Sequence, residues 1–346
     1  MSLLKGALER YESTQNDQTR HLVFWCTDWC GGIGDRVAGI TTVFYMALIL
    51  NRKFSIWMPG PVPINTIFEP NKYNWTNARE PFCDNRLNAV DSIELLRLTE
   101  VKAESNMHQN FFSVCVSVNL LGITPLVKAN PDIFGVQPEM FNVAKYFGEA
   151  FRFLFLPTMR LAESVEKLRR SAHLPPFACF ACPSSSSPWY AVHFRTGNGT
   201  SWVDPVRDNL SAITNVVNCF KRSALALGWE VTKDSVYIAS DNHFAKKNLA
   251  RAIENSTLVD LPIAHTDRSD ASIRGHYEAW TEFALLTHAT CLVTSRSGYS
   301  EYAAFAGAWM HANTTSPRCL IGHLQCAADI NRLLVGAPDR KKRFQL

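Results

Sequence analysis

The sequence lacks the features that mark membrane proteins and nucleic-acid-binding proteins. It contains no uninterrupted apolar run of roughly 18 residues, the length that a membrane-spanning helix needs, so no membrane span is expected. Charged residues make up only 19% of the chain and the net charge is +4, with the positive excess concentrated in "DRKKRF" at Asp339–Phe344. Because a broad basic face is missing, no nucleic acid is expected as a partner.

The first residues also lack the pattern of a signal peptide. "MSLLKGALERYESTQNDQ" is polar and does not pass from a charged segment through an apolar one to small residues. The chain as given is therefore expected to be cytoplasmic, whereas an N-terminal anchor missing from it would place it in the Golgi lumen. Sequons such as Asn74-Trp75-Thr76 have a meaning only if the chain enters a secretory lumen.

Metal-binding patterns are scarce as well. The ten cysteines could support disulfides, but they are scattered, and the pairs "CTDWC" and "CFAC" each lack the second pair that a structural zinc site uses. Buried free thiols are therefore expected rather than a zinc site. The chain also has no Asp-x-Asp pair, the motif that holds a diphosphate-bound metal in many nucleotide-sugar enzymes. No metal site is predicted.

The chain is long enough for two domains. Its 346 residues, 47% of them hydrophobic, fit two cores of roughly 100–200 residues each. From His21 the pattern predicts a strand ("HLVFWC"), a glycine turn ("GGIGD"), a helix ("RVAGITTVFYMALILN") and a strand ("KFSIWM"), which is the beginning of a βαβ unit. Between Pro59 and Asn130 the signals indicate long loops with few clear elements, and "MFNVAKYFGEAFRFLFL" and "TMRLAESVEKLRRSAHL" then predict helices.

A proline- and serine-rich stretch, "PPFACFACPSSSSPW", predicts the domain boundary, with an N-terminal α/β domain at residues 1–175 and a C-terminal domain at 185–346. After it, strands such as "YAVHFR", "SVYIAS" and "TCLVTS" alternate with amphipathic helices about four times. This alternation indicates a doubly wound parallel sheet, in which ligands bind outside the carboxyl ends of the strands.

Three strands of the second domain end in polar turns. These turns are Arg195–Asn198, Ser240–Asn242 and Thr294–Ser300, and neighbouring strands would bring them into one cleft. The planar fork of Arg195 can grip paired phosphate oxygens, while backbone amides before the helix at "SGYSE" can point at an anion. The cleft is therefore predicted to bind a phosphate-bearing ligand.

Each of these turns also has a purely structural interpretation. Arg195 could form a surface ion pair, Ser240 and Asp241 could cap the next helix, and "TSRSGYSE" could be an ordinary N-cap. The glycine turn of the first domain, "GGIGDR", is a poor dinucleotide fingerprint because its third glycine is missing and the next strand ends in Met58-Pro59. A dehydrogenase is therefore disfavoured, and a sulfotransferase is disfavoured because the same turn offers no lysine, serine or threonine.

These motifs resemble those of the fucosyltransferases that use GDP-fucose to make α1,2 or α1,6 linkages or to fucosylate protein hydroxyls. The resemblance covers mainly residues 190–310 and the glycine turn at 31–36. "VHFRTGN" is similar to the family's His-x-Arg-x-Gly-Asp block, whose arginine binds the donor diphosphate, with Asn198 in place of the aspartate. The resemblance implies donor-binding roles for Gly32, Gly34, Arg36, His193, Arg195, Gly197, Asn198, Ser240, Asp241, Ser295, Ser297, Gly298, Tyr299 and Ser300.

The resemblance further implies a GT-B architecture, with two Rossmann-like domains facing a central cleft. It also implies an inverting transfer of L-fucose from GDP-fucose to a hydroxyl of a glycan or glycoprotein acceptor, with no cofactor other than this donor. Arg195 would stabilise the leaving diphosphate. Asp204 is the preferred base, with Asp35 and Glu301 as alternatives, and His193 is expected to be a core histidine that positions Arg195.

Two other functions remain open. A transferase that uses another nucleotide sugar, such as xylose from UDP-xylose, would need the same phosphate site. A non-catalytic module that binds a nucleotide sugar or a glycan would keep the cleft without the chemistry, and Asn198 in the acidic position agrees with it. Trp57, Trp75 and Phe82 are available to stack on an acceptor sugar, although packing in the core or in a loop is the preferred interpretation of each.

Overall fold

The structure, a computed structural model, describes residues 20–27, 30–76, 85–88, 113–117, 121–135, 141–176, 188–197, 207–230, 235–261, 272–295, 297–308 and 319–335, together with residues 6, 8, 9, 11 and 137. The chain forms two compact units. The first comprises Met1–Leu161 and His265–Tyr277, and the second comprises Ala162–Ala264 and Glu278–Leu346. The domain ranges 1–175 and 185–346 stay a prediction, since most of the linker expected between them lies outside the described residues.

The first unit is built on a parallel sheet. Its elements follow the order β1 (His21–Trp25), α1 (Ile33–Leu50), β2 (Lys53–Trp57), α2 (Ile64–Ile67), β3 (Phe68–Pro70), β4 (Asn85–Asn88), β5 (Ser113–Ser117), α3 (Ile123–Ala129), α4 (Pro131–Phe134), α5 (Val143–Leu154) and β6 (Phe155–Pro157). The parallel strands lie in the order β2-β1-β5-β4, and β3 pairs with β6 in a separate antiparallel ribbon. The glycine turn after β1 therefore lies at the carboxyl edge of the sheet, where the strand order reverses between β1 and β5.

Helix α1 is the central helix of this unit. It is the one described helix that is long and apolar enough to cross a membrane, and 89% of it is buried within the protein. Its few polar side chains have partners, because Thr41 donates to the Val37 carbonyl at 2.7 Å and Tyr45 donates to the Tyr146 carbonyl at 3.0 Å. These contacts are those of a core helix.

The second unit has the strand order of a Rossmann fold. Its elements are α6 (Met159–Ser171), β7 (Trp189–Phe194), α7 (Ile213–Leu227), β8 (Ser235–Ser240), α8 (His243–Ala252), β9 (Ser256–Thr257), α9 (Ile273–Leu286), β10 (Cys291–Thr294), α10 (Gly298–Ala308), β11 (Cys319–Gly322) and α11 (Cys326–Val335), with the first residues of α6 and α9 belonging to the first unit. All five strands are parallel in the order β11-β10-β7-β8-β9. The order reverses between β7 and β10, and this switch point is where such sheets bind ligands.

One face of this second sheet packs into an apolar core, and His193 lies on the other face. Alternate residues of β7, namely Tyr190, Val192 and Phe194, join an apolar core with side chains of α7, α8 and α11. His193, on the opposite face of β7, contacts Ser300 and Tyr299 of α10. His193 therefore lies under α10, next to the switch point.

The sequence predicted most of these elements and missed others. The expected α/β fold with parallel sheets is confirmed. The stretch between Pro59 and Asn130 contains β5, which pairs with β1 inside the sheet, although its five residues gave no clear periodicity. The helix predicted through "FRFLFL" ends at Leu154, because the next three residues pair with β3.

The expectation of buried free thiols is wrong. Disulfides join Cys26 to Cys30, Cys219 to Cys326, and Cys291 to Cys319, and Cys115 is also disulfide-bonded. No cysteine in the described part of the chain is a free thiol. The wide spacing of these cysteines in the sequence hid their pairing. Cys291 and Cys319, for example, begin the adjacent strands β10 and β11 and are directly paired in register.

Candidate donor site

Two polar turns of the second unit lie side by side at the switch point. The Ser295 N–H donates to the His193 carbonyl at 3.0 Å, and the Arg195 N–H donates to Ser295 Oγ at 2.6 Å. Ser295 is almost fully buried. The turn after β7 and the turn after β10, which the sequence placed at equivalent strand ends, are thus hydrogen-bonded to each other.

The third polar turn provides a carboxylate that organises the first. Asp241 accepts hydrogen bonds from the Thr196 N–H at 2.7 Å and the Gly197 N–H at 2.9 Å, and its Oδ2 lies 3.2 Å from Nε of Arg195. The Thr196 hydroxyl also donates to it, at 3.1 Å. Gly197 has a φ of +67°, which favours glycine. Asp241 therefore holds both the backbone of this turn and the guanidinium that projects from it.

The ion pair between Arg195 and Asp241 is asymmetric in exposure. The Asp241 side chain is 7% exposed, whereas that of Arg195 is 25% exposed. A ligand at the edge of the sheet can therefore reach the guanidinium, while the carboxylate that orients it is covered.

Ser240 and Asn242 have local structural roles. Ser240 donates to the Phe194 carbonyl at 2.7 Å and accepts from the Asn242 N–H at 3.1 Å, so it ties β8 to the end of β7. Asn242 caps α8 by accepting from the Ala245 N–H at 3.0 Å. The sequence suggested Ser240 or Asp241 as the cap of this helix, but the capping residue is Asn242.

His193 links β7 to the start of α10. Its Nδ1 lies 3.1 Å from Ser300 Oγ, and that hydroxyl also contacts Thr294 Oγ1. Burial lowers the pKa of His193 to about 4, opposed by Asp241 and assisted by the positive charge of Arg195. The imidazole is therefore neutral at pH 7 and serves as a hydrogen-bonded core group.

The amino end of α10 faces the same edge. Gly298, Tyr299 and Ser300 form its first turn, whose N–H groups have no acceptor within the helix and lie at the positive end of its dipole. Tyr299 is fixed by a 2.7 Å bond to the Ala279 carbonyl and by ring contacts with His193 and Phe283. Ser297, the residue before the helix, is half-buried.

A buried charged cluster that the sequence gave no reason to single out connects α8, β8 and α9. Lys246 of α8 donates to the Val259 carbonyl at 2.7 Å and lies 3.7 Å from the Glu282 carboxylate, which also accepts from Tyr237 at 2.7 Å. The pKa of Tyr237 is raised well above its ordinary value, and burial is the largest cause of this shift. The lysine alone, in an amphipathic helix, is indistinguishable in sequence from a solvated one.

The polar groups at the glycine turn of the first unit form hydrogen bonds within the protein. Arg36 is only 2% exposed, and its guanidinium donates to the Gly31 and Gly60 carbonyls at 3.0 and 3.2 Å. Asp35 accepts from the Gly32 N–H at 3.0 Å, so an acidic side chain already lies at the positive end of α1. Gly34 is buried. The donor contacts implied for Gly32, Gly34 and Arg36 stay a prediction, as does the catalytic role of Asp35.

Several predicted residues are outside the part of the chain that the structure describes. They include Asn198 and the preferred base, Asp204, and both assignments stay predictions. Among the acceptor-side aromatics, Trp75 is 1% exposed and its indole donates to the Leu154 carbonyl, which is the packing role. Within the described residues no three His, Cys, Asp or Glu side chains are grouped closely enough to hold a metal ion.

Solved fucosyltransferase structures share this fold. The NodZ α-1,6-fucosyltransferase soaked with GDP-fucose, an enzyme from Bradyrhizobium, matches with a TM-score of 0.52 and 14% identity over 84% of this chain and 93% of its own. A FUT1 mutant from Arabidopsis thaliana in complex with GDP matches with a TM-score of 0.54 and 14% identity over 88% of this chain and 75% of its own. The protein has a fucosyltransferase-like fold.

The fucosyltransferase-like fold agrees with the resemblance of the sequence motifs. No protein-family model matches the sequence, and no curated protein matches it significantly. At 14% identity the likeness establishes the fold, so the chemistry has to be argued from the site.

Proposed function

We propose that the protein is a glycosyltransferase that moves L-fucose from GDP-fucose to a hydroxyl of a glycan or glycoprotein. The observation that carries this proposal is Arg195, held by Asp241 at the switch point beside the amino end of α10. A partly exposed arginine next to the amino end of a helix is suited to a diphosphate, because both bind anionic oxygens. Support for the donor comes from the structural neighbours, whose crystals contain GDP-fucose or GDP.

The proposed reaction is a single displacement with inversion at the anomeric carbon. The acceptor oxygen attacks the anomeric carbon as the bond to the diphosphate breaks, and the nucleoside diphosphate leaves with the bonding electron pair. Arg195 and the amides at residues 297–300 would stabilise the negative charge that grows on that leaving group. These groups are positioned before the reaction, so the reaction is proposed to need no metal ion. The two units would form the two halves of a GT-B architecture.

The acceptor hydroxyl also loses a proton, and Asp204 remains the preferred base. Asp35 is disfavoured for this role because it accepts the Gly32 N–H at the start of α1. His193 is disfavoured because its Nδ1 already bonds to Ser300 and its pKa lies far below neutrality, at about 4. Burial raises the pKa of Glu301, which would make it a better proton acceptor near neutral pH if it reached the acceptor.

The first experiment is calorimetric titration with GDP, UDP and adenosine 3′,5′-bisphosphate, each with and without a chelator. We expect GDP to bind most tightly and the chelator to change nothing. Arg195→Ala should weaken GDP binding by roughly tenfold to a hundredfold, since hydrogen bonds to charged groups contribute about 1.5–3 kcal/mol. Arg251→Ala is the matched control, because Arg251 is an exposed arginine in the last turn of α8.

The other outcomes discriminate among the remaining functions. Preference for UDP would retain the transferase and reject the fucose assignment, whereas binding to none of the three ligands would reject the nucleotide site. If GDP binds, incubation with GDP-fucose and glycan acceptors measures turnover. Donor binding without turnover for any acceptor would favour the non-catalytic module, for which Asn198 in the acidic position is the sequence support.

A further inference from the structure

Three sequons in the described part of the chain begin at asparagines that lie outside the helices and strands. They begin at Asn74, Asn209 and Asn255, and each of these asparagine side chains is exposed. Asn74 follows the buried Tyr73 and precedes the buried Trp75, so the core anchors the segment while the asparagine stays outside. Asn209 immediately precedes the short turn of helix at Leu210–Ala212.

Two of these sequons share one side-chain arrangement. The hydroxyl of Thr76 donates to Oδ1 of Asn74 at 2.7 Å, with the Thr76 N–H bonding to the same oxygen at 3.2 Å. The hydroxyl of Ser211 likewise donates to Oδ1 of Asn209. In both sequons the hydroxyl therefore donates to the amide oxygen of an exposed asparagine, and the amide nitrogen, Nδ2, takes no part in this hydrogen bond.

The disulfides indicate the compartment independently of the sequons. Cys219 and Cys326 are 107 residues apart in sequence and connect α7 to α11, and Cys291 and Cys319 connect neighbouring strands. Such structural disulfides form and persist in oxidising compartments and are rare in the cytosol. A chain with bridges in the core of its Rossmann unit fits the lumenal alternative for its location better than the cytosolic one.

We propose that the protein matures in an oxidising secretory lumen and that Asn74 and Asn209 are N-glycosylated there. In this reaction Nδ2 of the asparagine forms a bond to the anomeric carbon of an oligosaccharide carried on a lipid diphosphate. The bond to the lipid diphosphate breaks, that carrier leaves with the electron pair, and the amide nitrogen loses one proton. Asn74 and Asn209 belong to different units, so each unit carries one of the two proposed acceptors.

Secretion of the full chain from a eukaryotic host, followed by peptide mapping, tests this proposal. Treatment with peptide N-glycosidase should convert Asn74 and Asn209 to aspartate, and non-reducing digests should contain the Cys219–Cys326 and Cys291–Cys319 peptides. Thr76→Ala and Ser211→Ala should each abolish modification at the neighbouring asparagine, and Thr76→Ser should retain it. Asn142 is the matched control, being exposed and outside any sequon.

Three results would overturn the proposal: both asparagines recovered unmodified from the secreted protein, modification that persists in Thr76→Ala and Ser211→Ala, or free thiols at both cysteine pairs. Binding of GDP to the secreted protein is measured in parallel. Because glycosylation does not depend on a donor site, failure of one inference leaves the other intact.

Discussion

Replacement of Asp241 by asparagine separates two roles for this residue. The sequence motif implied that Asp241 contacts the nucleotide. In the structure its carboxylate instead pairs with Arg195 and accepts hydrogen bonds from two backbone N–H groups of the turn after β7. An asparagine presents one acceptor oxygen and one NH₂ group to these donors, so at least one donor loses its partner and the guanidinium loses its counter-charge.

The magnitude follows from the exposure of the pair. A hydrogen bond to a charged group contributes about 1.5–3 kcal/mol, and the 25% exposure of Arg195 calls for a discount for solvent screening. We therefore expect Asp241→Asn to weaken GDP binding by about 1–2 kcal/mol, roughly fivefold to thirtyfold. Guanosine, which lacks the diphosphate, should bind the variant and the parent protein equally.

Calorimetry of GDP and guanosine against both single variants and the double variant with Arg195→Ala completes the test. If Asp241 acts through Arg195, then Asp241→Asn should add little once the arginine is removed. Equal losses for GDP and guanosine, or fully additive effects in the double variant, would refute this reasoning and restore the direct nucleotide contact.

Three further predictions concern stability. Burial lowers the pKa of His193 to about 4, so its contribution to the free energy of unfolding is complete above pH 6.5, the pKa of an unfolded histidine, and is lost as the pH falls towards 4. Denaturant titrations should therefore show the free energy of unfolding declining by up to about 3 kcal/mol over this pH range, and the decline should be missing in His193→Gln. Gly31→Ala should lower the melting temperature more than Gly135→Ala, since both have positive φ but only at Gly31 would a Cβ lie 2.7 Å from another side-chain carbon; equal effects would contradict the steric argument. Lys246→Met should cost about 3–5 kcal/mol of unfolding free energy, because it leaves the largely buried Glu282 without its counter-charge, and adding Glu282→Gln should recover part of this loss. A loss unchanged by the second substitution would contradict the pairing.

Short-range patterns were sufficient for the elements that position the site. The continuous apolar run at β7 predicts a buried strand, and the break after it at Arg195 predicts the polar turn. The alternation of strands and helices then determines a parallel sheet whose carboxyl ends share one edge, which is why the turns at residues 195–197 and 295–300 could be expected to meet. These properties depend on residues that are close in the chain.

Only the tertiary structure decided which groups are partners. Asp241 lies 45 residues from Thr196 in the chain, and Cys219 lies 107 residues from Cys326. Arg36, which the motif suggested for a ligand, is buried against the Gly31 and Gly60 carbonyls. Long-range pairing follows from strand order and helix packing, and these are set by the sum of many contacts across the sheet. The sequence by itself thus determined which strands end in polar turns, while the fold decided which of their side chains are buried, which are partly exposed and which hold the others in position.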